Sequence, residues 1–117
     1  MQYMLMIYGN EGSMAKMTKK DGEQMHAAYG AYTEALRKAG VMKEGNPLQN
    51  SSTASTVRMK DGKAKVLNGP YAESKEQLGG YYVIETKDID AALSWAAKCP
   101  GAQYGTIEVR PVAPMDM

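Results

Sequence analysis

The chain has 117 residues and carries 14 Lys and Arg against 13 Asp and Glu, for a formal charge of +1. That length holds one hydrophobic core and leaves no room for a second domain. The even balance, with no block of like charges, excludes the phosphate backbone of a nucleic acid as its main partner.

The opening "MQYMLMIYG" is apolar, but it is too short to span a bilayer and lacks both a preceding cation and a small-residue cleavage pattern, so it reads as a strand and not as a signal peptide. Tyr3, Leu5 and Ile7 alternate with Met4, Met6 and Tyr8, giving a strand with both faces wanting cover. "GNEGS" breaks it. From about Thr18 to Ala39, Met25, Tyr29, Tyr32, Leu36 and Ala39 recur at helical spacing, and Gly40 supplies the stop. "EGNPLQNSS" reads as loop. "STVRMK" and "KAKVLN", joined by Asp61-Gly62, read as a hairpin.

Asn68-Gly69-Pro70 is a turn, because Pro70 cannot donate to a ladder. Ser74 and Gln77 stand at capping-box spacing for one short helical turn, which Gly79 and Gly80 would close. "GYYVIE" is the next strand, with Tyr82 and Ile84 facing one way and Tyr81, Val83 and Glu85 the other. Asp88 caps a second helix whose expected stripe is Ile89, Ala92, Leu93 and Ala96, with Trp95 on its flank and Pro100-Gly101 at its end. "GTIEVRPV" closes the pattern, with Ile107 and Val109 opposite Thr106, Glu108 and Arg110.

The order β, α, β-hairpin, β, α, β predicts an α+β fold: a ferredoxin-like split βαβ sheet with two helices on one face and an extra hairpin strand, a single domain over 1–117. The opposite sheet face would carry Met4, Met6, Tyr8, Tyr81, Val83, Glu85, Glu108 and Arg110. It is too apolar to leave in water and too charged to be an ordinary core. A two-fold partner that packs its own sheet there solves both problems, so a homodimer is expected. With no Phe, ten Met and eight Tyr, the interior leans on thioethers and on rings with a polar end, which suits a partly wet cavity.

The candidate site residues follow from this placement. "NGPYAESKEQLGGYY" sets polar groups between rigid strands, as binding loops do. Glu73 could take a proton and Arg110 could hold an anionic group bidentately; the competing reading of that pair is a rim salt bridge that orders the loop. Tyr8, Tyr71 and Tyr81 are expected to face a cavity with them. Tyr29 and Tyr32 lie on the buried stripe, with core packing favoured over a pocket role. His26, the one histidine, falls on the flank of its helix and reads as solvated. Cys99, the one cysteine, sits at a helix C-terminus, where the dipole disfavours a thiolate. It excludes an internal disulfide, and the chain is expected to be cytoplasmic. No metal-ligand spacing and no Gly-rich phosphate loop is present, so no cofactor is expected.

"NGPYAESKEQLGGYYVIE", with "YMLMIYGNE" and "YGTIEVRPV", resembles the DGPF-domain branch of the YCII-related family over nearly the whole chain. The naming tetrapeptide stands here as Asn68-Gly69-Pro70-Tyr71, with Asn for Asp and Tyr for Phe. The resemblance implies a dimeric α+β barrel of ferredoxin-like protomers. The wider family includes an enzyme that removes chloride from chlorinated hydroxyhydroquinones, and it is associated with a catalytic His on the first helix and an Asp before a Pro after the second. By spacing, those positions fall near Tyr29 and at Cys99, so the His-Asp pair is not carried over.

The expected function is binding of a small aromatic or anionic molecule by a homodimer, with lyase-like or isomerase-like acid-base chemistry. The alternative is a non-catalytic ligand-binding or regulatory module, since some relatives in the branch are linked to sigma factors of transcription. Neither a nucleic acid nor a membrane is an expected partner.

Overall fold

A computed structural model describes residues 1–115. In chain order the elements are β1 (Gln2–Gly9), α1 (Glu11–Met14), α2 (Lys19–Lys38), β2 (Met42–Pro47), β3 (Ser55–Lys60), β4 (Lys63–Asn68), β5 (Gln77–Glu85), α3 (Ile89–Lys98) and β6 (Thr106–Pro111). Four strands form one sheet in the order β2-β5-β1-β6, and every pairing in it is antiparallel. Each βαβ half, β1-α2-β2 and β5-α3-β6, contributes strands that interleave with the other's, which is the ferredoxin-like plan.

Local chemistry sets the helix ends. Thr18 Oγ1 accepts from the Asp21 amide at 3.1 Å to open α2, and Asp88 Oδ1 accepts from the Ala91 amide at 2.9 Å to open α3. Both helices lie on one face of the sheet and bury Tyr3, Leu5, Tyr32, Leu36, Tyr82, Ile84, Ala92, Ala96 and Cys99. At the centre, Tyr32 meets Tyr82 edge-on with ring centroids 5.4 Å apart, and its hydroxyl donates to the Trp95 carbonyl at 2.7 Å.

Three expectations need correction. The strand that borders β5 is β2, built from residues read as loop. Its sequence hides it because only Met42 packs on the core, and Gly45 lies flat on Tyr82, where a Cβ would come within 2.7 Å of the ring. The "STVRMK"–"KAKVLN" hairpin forms as expected, with Asp61 at φ 53° and Gly62 at φ 76° in its turn, but β3 and β4 make a separate two-stranded sheet and add no strand to the main one. The Ser74–Gln77 helical turn does not form, because Gln77 already pairs with Gly9 as the first residue of β5.

The buried side of α3 is also rotated from the expected stripe. Ala92, Ala96 and the half-buried Trp95 face the core, while Ile89 and Leu93 are exposed. Two alanines let the helix lie close to the sheet, and the indole then fills the gap beside Tyr32, burying more surface than either aliphatic could.

Candidate functional site

The helices leave the other sheet face uncovered. On it, Met4, Met6, Tyr8, Tyr81, Val83 and Glu108 are half-buried, as the alternation predicted. Where β1 and β6 end and the loop before β5 passes over them, a groove of about 820 Å³ opens, lined by Tyr8, Asn10, Ser74, Lys75, Glu76, Thr106 and Glu108. Its floor is set by β1 and β6, since Tyr8 and Thr106 are register partners. Gly105 permits the approach of the two strands there, because a Cβ at that position would stand 2.0 Å from the Tyr8 carbonyl oxygen.

The rim is built from polar contacts. Glu76 Oε1 accepts from the Thr106 hydroxyl at 2.8 Å, tying the loop to β6. Ser74 donates its hydroxyl to the Glu76 carbonyl, and Gln77 donates its amide to the Ser74 carbonyl at 2.7 Å. On the other side, Asn10 caps α1 through the Ser13 amide at 2.9 Å, and Gln77 Oε1 accepts from the Glu11 amide at 3.0 Å. The Glu11 carboxylate accepts from the Ser51 amide at 2.7 Å and from its hydroxyl, which locks the base of the hairpin to the end of β1.

The expected site residues fall in different places. Tyr8 lines the groove. Arg110 stands at its margin and donates to Glu108 at 2.9 Å along the same strand. Tyr81 lies on the open face but away from the groove, donating to Glu44 and accepting from Asn46 Nδ2 at 2.9 Å. Tyr71 is turned to the hairpin: its ring lies 5.2 Å from the Arg58 guanidinium, which also donates to its hydroxyl at 3.1 Å. Glu73 is exposed and does not line the groove, so the loop rims it through Ser74, Lys75 and Glu76. Within one chain, then, Tyr71, Glu73 and Tyr81 do not converge with Tyr8 and Arg110.

Tyr29 is on the opposite, helix-covered side. The Cys99 thiol donates to its hydroxyl with sulfur and oxygen 3.8 Å apart, and a Cβ on Gly101 would fall 2.5 Å from that oxygen. Burial first, and then the Cys99 neighbour, push the Tyr29 phenol well above its ordinary range. Burial likewise raises the Cys99 thiol. The two positions that match the His-Asp pair by spacing are thus in contact, but both groups hold their protons at neutral pH. His26 is exposed, as expected.

The sequence did not single out Asn10, Ser74, Glu76, Thr106 or Glu108 as site residues. Glu76 was three residues from the expected Glu73 in the same loop, and only the Thr106 hydroxyl decides which carboxylate turns inward. Among the described residues no group of His, Cys, Asp and Glu side chains could hold a metal ion, and no helix is long and apolar enough to cross a membrane.

Three comparisons bear on this architecture. The family described as YCII-related domain matches residues 1–116. An uncharacterized protein of Rhizobium meliloti strain 1021 is 32% identical over 115 residues, covering 97% of this chain and 93% of its own. The 5-chloro-2-hydroxyhydroquinone dehydrochlorinase of Burkholderia phenoliruptrix AC1100, solved with 2,5-dihydroxybenzoquinone, superposes with a TM-score of 0.56 at 17% identity, over 97% of this chain and 94% of the other.

Proposed function

The chain belongs to the YCII-related family, and from that premise we propose that it is a homodimer that binds a small hydroxylated ring compound in the groove of the open sheet face. The groove itself carries the reading: it combines one aromatic wall, Tyr8, with hydrogen-bond acceptors at Glu76 and Glu108 and a hydroxyl at Thr106. Carboxylates accept from ring hydroxyls, and the Tyr8 ring offers a stacking face. Two carboxylates against the one cation, Lys75, in the lining favour an uncharged ring over an anion. The dehydrochlorinase of similar fold was solved in complex with 2,5-dihydroxybenzoquinone, which supports testing that class first.

Acid-base chemistry in the groove would fall to Glu76 and Glu108, with Arg110 orienting Glu108. Glu73 keeps a role only in a state where the loop turns it inward. A second reading, a ligand-binding module without catalysis, fits the Tyr29–Cys99 contact, where burial keeps both groups protonated and so supplies no base at the positions of the family's His-Asp pair.

A panel of catechols, hydroquinones and hydroxyquinones, read by calorimetry, tests the binding. At least one member is expected to bind, and Glu76→Gln and Thr106→Val should weaken it while leaving the melting temperature of the free protein nearly unchanged. Binding indifferent to both substitutions, or no binding across the panel, contradicts the reading. Turnover that follows Glu108→Gln selects the enzyme over the module.

A further inference from the structure

The β3–β4 hairpin has two unlike faces. Register partners share a face, so Val57 with Val66 and Met59 with Ala64 make one side, and Arg58 with Lys65 and Lys60 with Lys63 make the other. The first side is apolar and bare: Met59 is 68% exposed, Val57 60% and Val66 59%. The second sets like charges directly opposite one another, which costs stability. A two-stranded ribbon is marginal in water even without these burdens. Its own chain relieves them only at Arg58, which lies over the Tyr71 ring. The radius of gyration is 16.3 Å, against about 13 Å for a compact chain of this length, and the molecule is only 18 Å thick. The hairpin therefore projects, while its base is fixed by the Glu11–Ser51 bonds, by Gly69 N–H to the Ala54 carbonyl at 2.7 Å, and by the Thr56 hydroxyl to the Gly69 carbonyl at 2.8 Å.

We propose that this hairpin is an arm that covers part of the open sheet face of a second copy of the chain. The match is one of pattern and charge. The open face has an apolar centre on β1 and β5, Met4, Met6 and Val83, flanked by Glu44 on edge strand β2 and Glu108 on edge strand β6. The arm has an apolar centre and four cations. Among the described residues the ion pairs are Met1 with Glu85 and Glu108 with Arg110, so Arg58, Lys60, Lys63 and Lys65 have no carboxylate within 4.0 Å and neither Glu44 nor Glu76 has a cation. The ribbon is narrow, with strands about 4.8 Å apart, so long basic side chains can reach around its edges to flanking carboxylates while the valines and Met59 meet the methionines. Its bare hydrogen-bonding edges are also withdrawn from aggregation.

The inference rests on the homodimer proposed above, and the test separates the two. Amide hydrogen exchange of the full chain is measured at high and low protein concentration, with sedimentation at the same concentrations. The expected result is a dimer in which amides of residues 55–68 are protected on the order of a hundredfold relative to the diluted chain. Val57→Asp, which faces the uncharged Val66 and sets no like charges opposite one another, should weaken association at least about tenfold, because it buries charge against methionines, and the folded circular dichroism should be unchanged. Lys63→Glu with Lys65→Glu should weaken it by less. A dimer whose hairpin amides exchange freely, and which ignores Val57→Asp, overturns the arm and leaves the homodimer standing. A monomer at every concentration overturns both.

Discussion

The two faces of the four-stranded sheet come from the same alternating strands and end up in opposite states. On the helix side, Leu5, Leu36 and Ile84 are fully buried and the hydroxyls of Tyr32 and Tyr82 find partners in the Trp95 carbonyl and Thr33. On the open side, methionines and a valine stand half-buried among carboxylates and tyrosine hydroxyls. A complete layer of packing makes the first face a core; the second is an incomplete layer, with the chemistry of an interface and a groove. The proposed binding thus belongs to one face of the sheet and the packed core to the other.

Substitutions that strike one face at a time break that comparison. Leu36→Ala on the covered face leaves a cavity and should cost about 2–5 kcal/mol in urea unfolding. Loss below about 1 kcal/mol would mean that the site collapses around the smaller side chain. On the open face, Met6→Asp should change the stability of the isolated chain little but weaken dimerisation by about 2 kcal/mol, near thirtyfold in dissociation constant. An unchanged constant by sedimentation would show that the strand faces water in the assembly. Replacing the α3 cap, Asp88→Ala, should cost about 1 kcal/mol and leave association untouched.

The smallest effect is one of pH on the covered face. Burial raises the phenols of Tyr29, Tyr32 and Tyr82 above their ordinary 10.0. Their contribution to stability is fully present below pH 10.0 and is lost as pH rises toward the folded-state values, because the unfolded chain then releases protons that the folded chain keeps. Ultraviolet titration of the folded protein should show these three of the eight tyrosines ionising late. All eight ionising together near pH 10 would contradict the packing.

Much of this division was legible in the residues. The alternation in β1, in residues 80–85 of β5 and in β6 separated the core-facing side chains from those of the open face, because a period of two leaves no other arrangement once Leu5 and Ile84 face the core. The α2 stripe held at Tyr32 and Leu36 for the same kind of reason. Other features were hidden. β2 has a single core contact and a glycine under Tyr82, so no periodicity marks it. The rotation of α3 depended on how closely two alanines let it approach, which is a property of the packed pair of layers. The choice between Glu73 and Glu76 depended on one hydroxyl thirty residues along the chain. The family spacing marked Tyr29 and Cys99 as separate positions, and their contact appears only once the chain is folded.

The central claim is that ligand binding belongs to the open face. A crystal structure with the tightest-binding member of the hydroxylated ring panel tests it directly: the account places the ring against Tyr8 with its hydroxyls toward Glu76, Thr106 and Glu108, and a ring lodged between Tyr29 and Cys99 beneath the helices would contradict it.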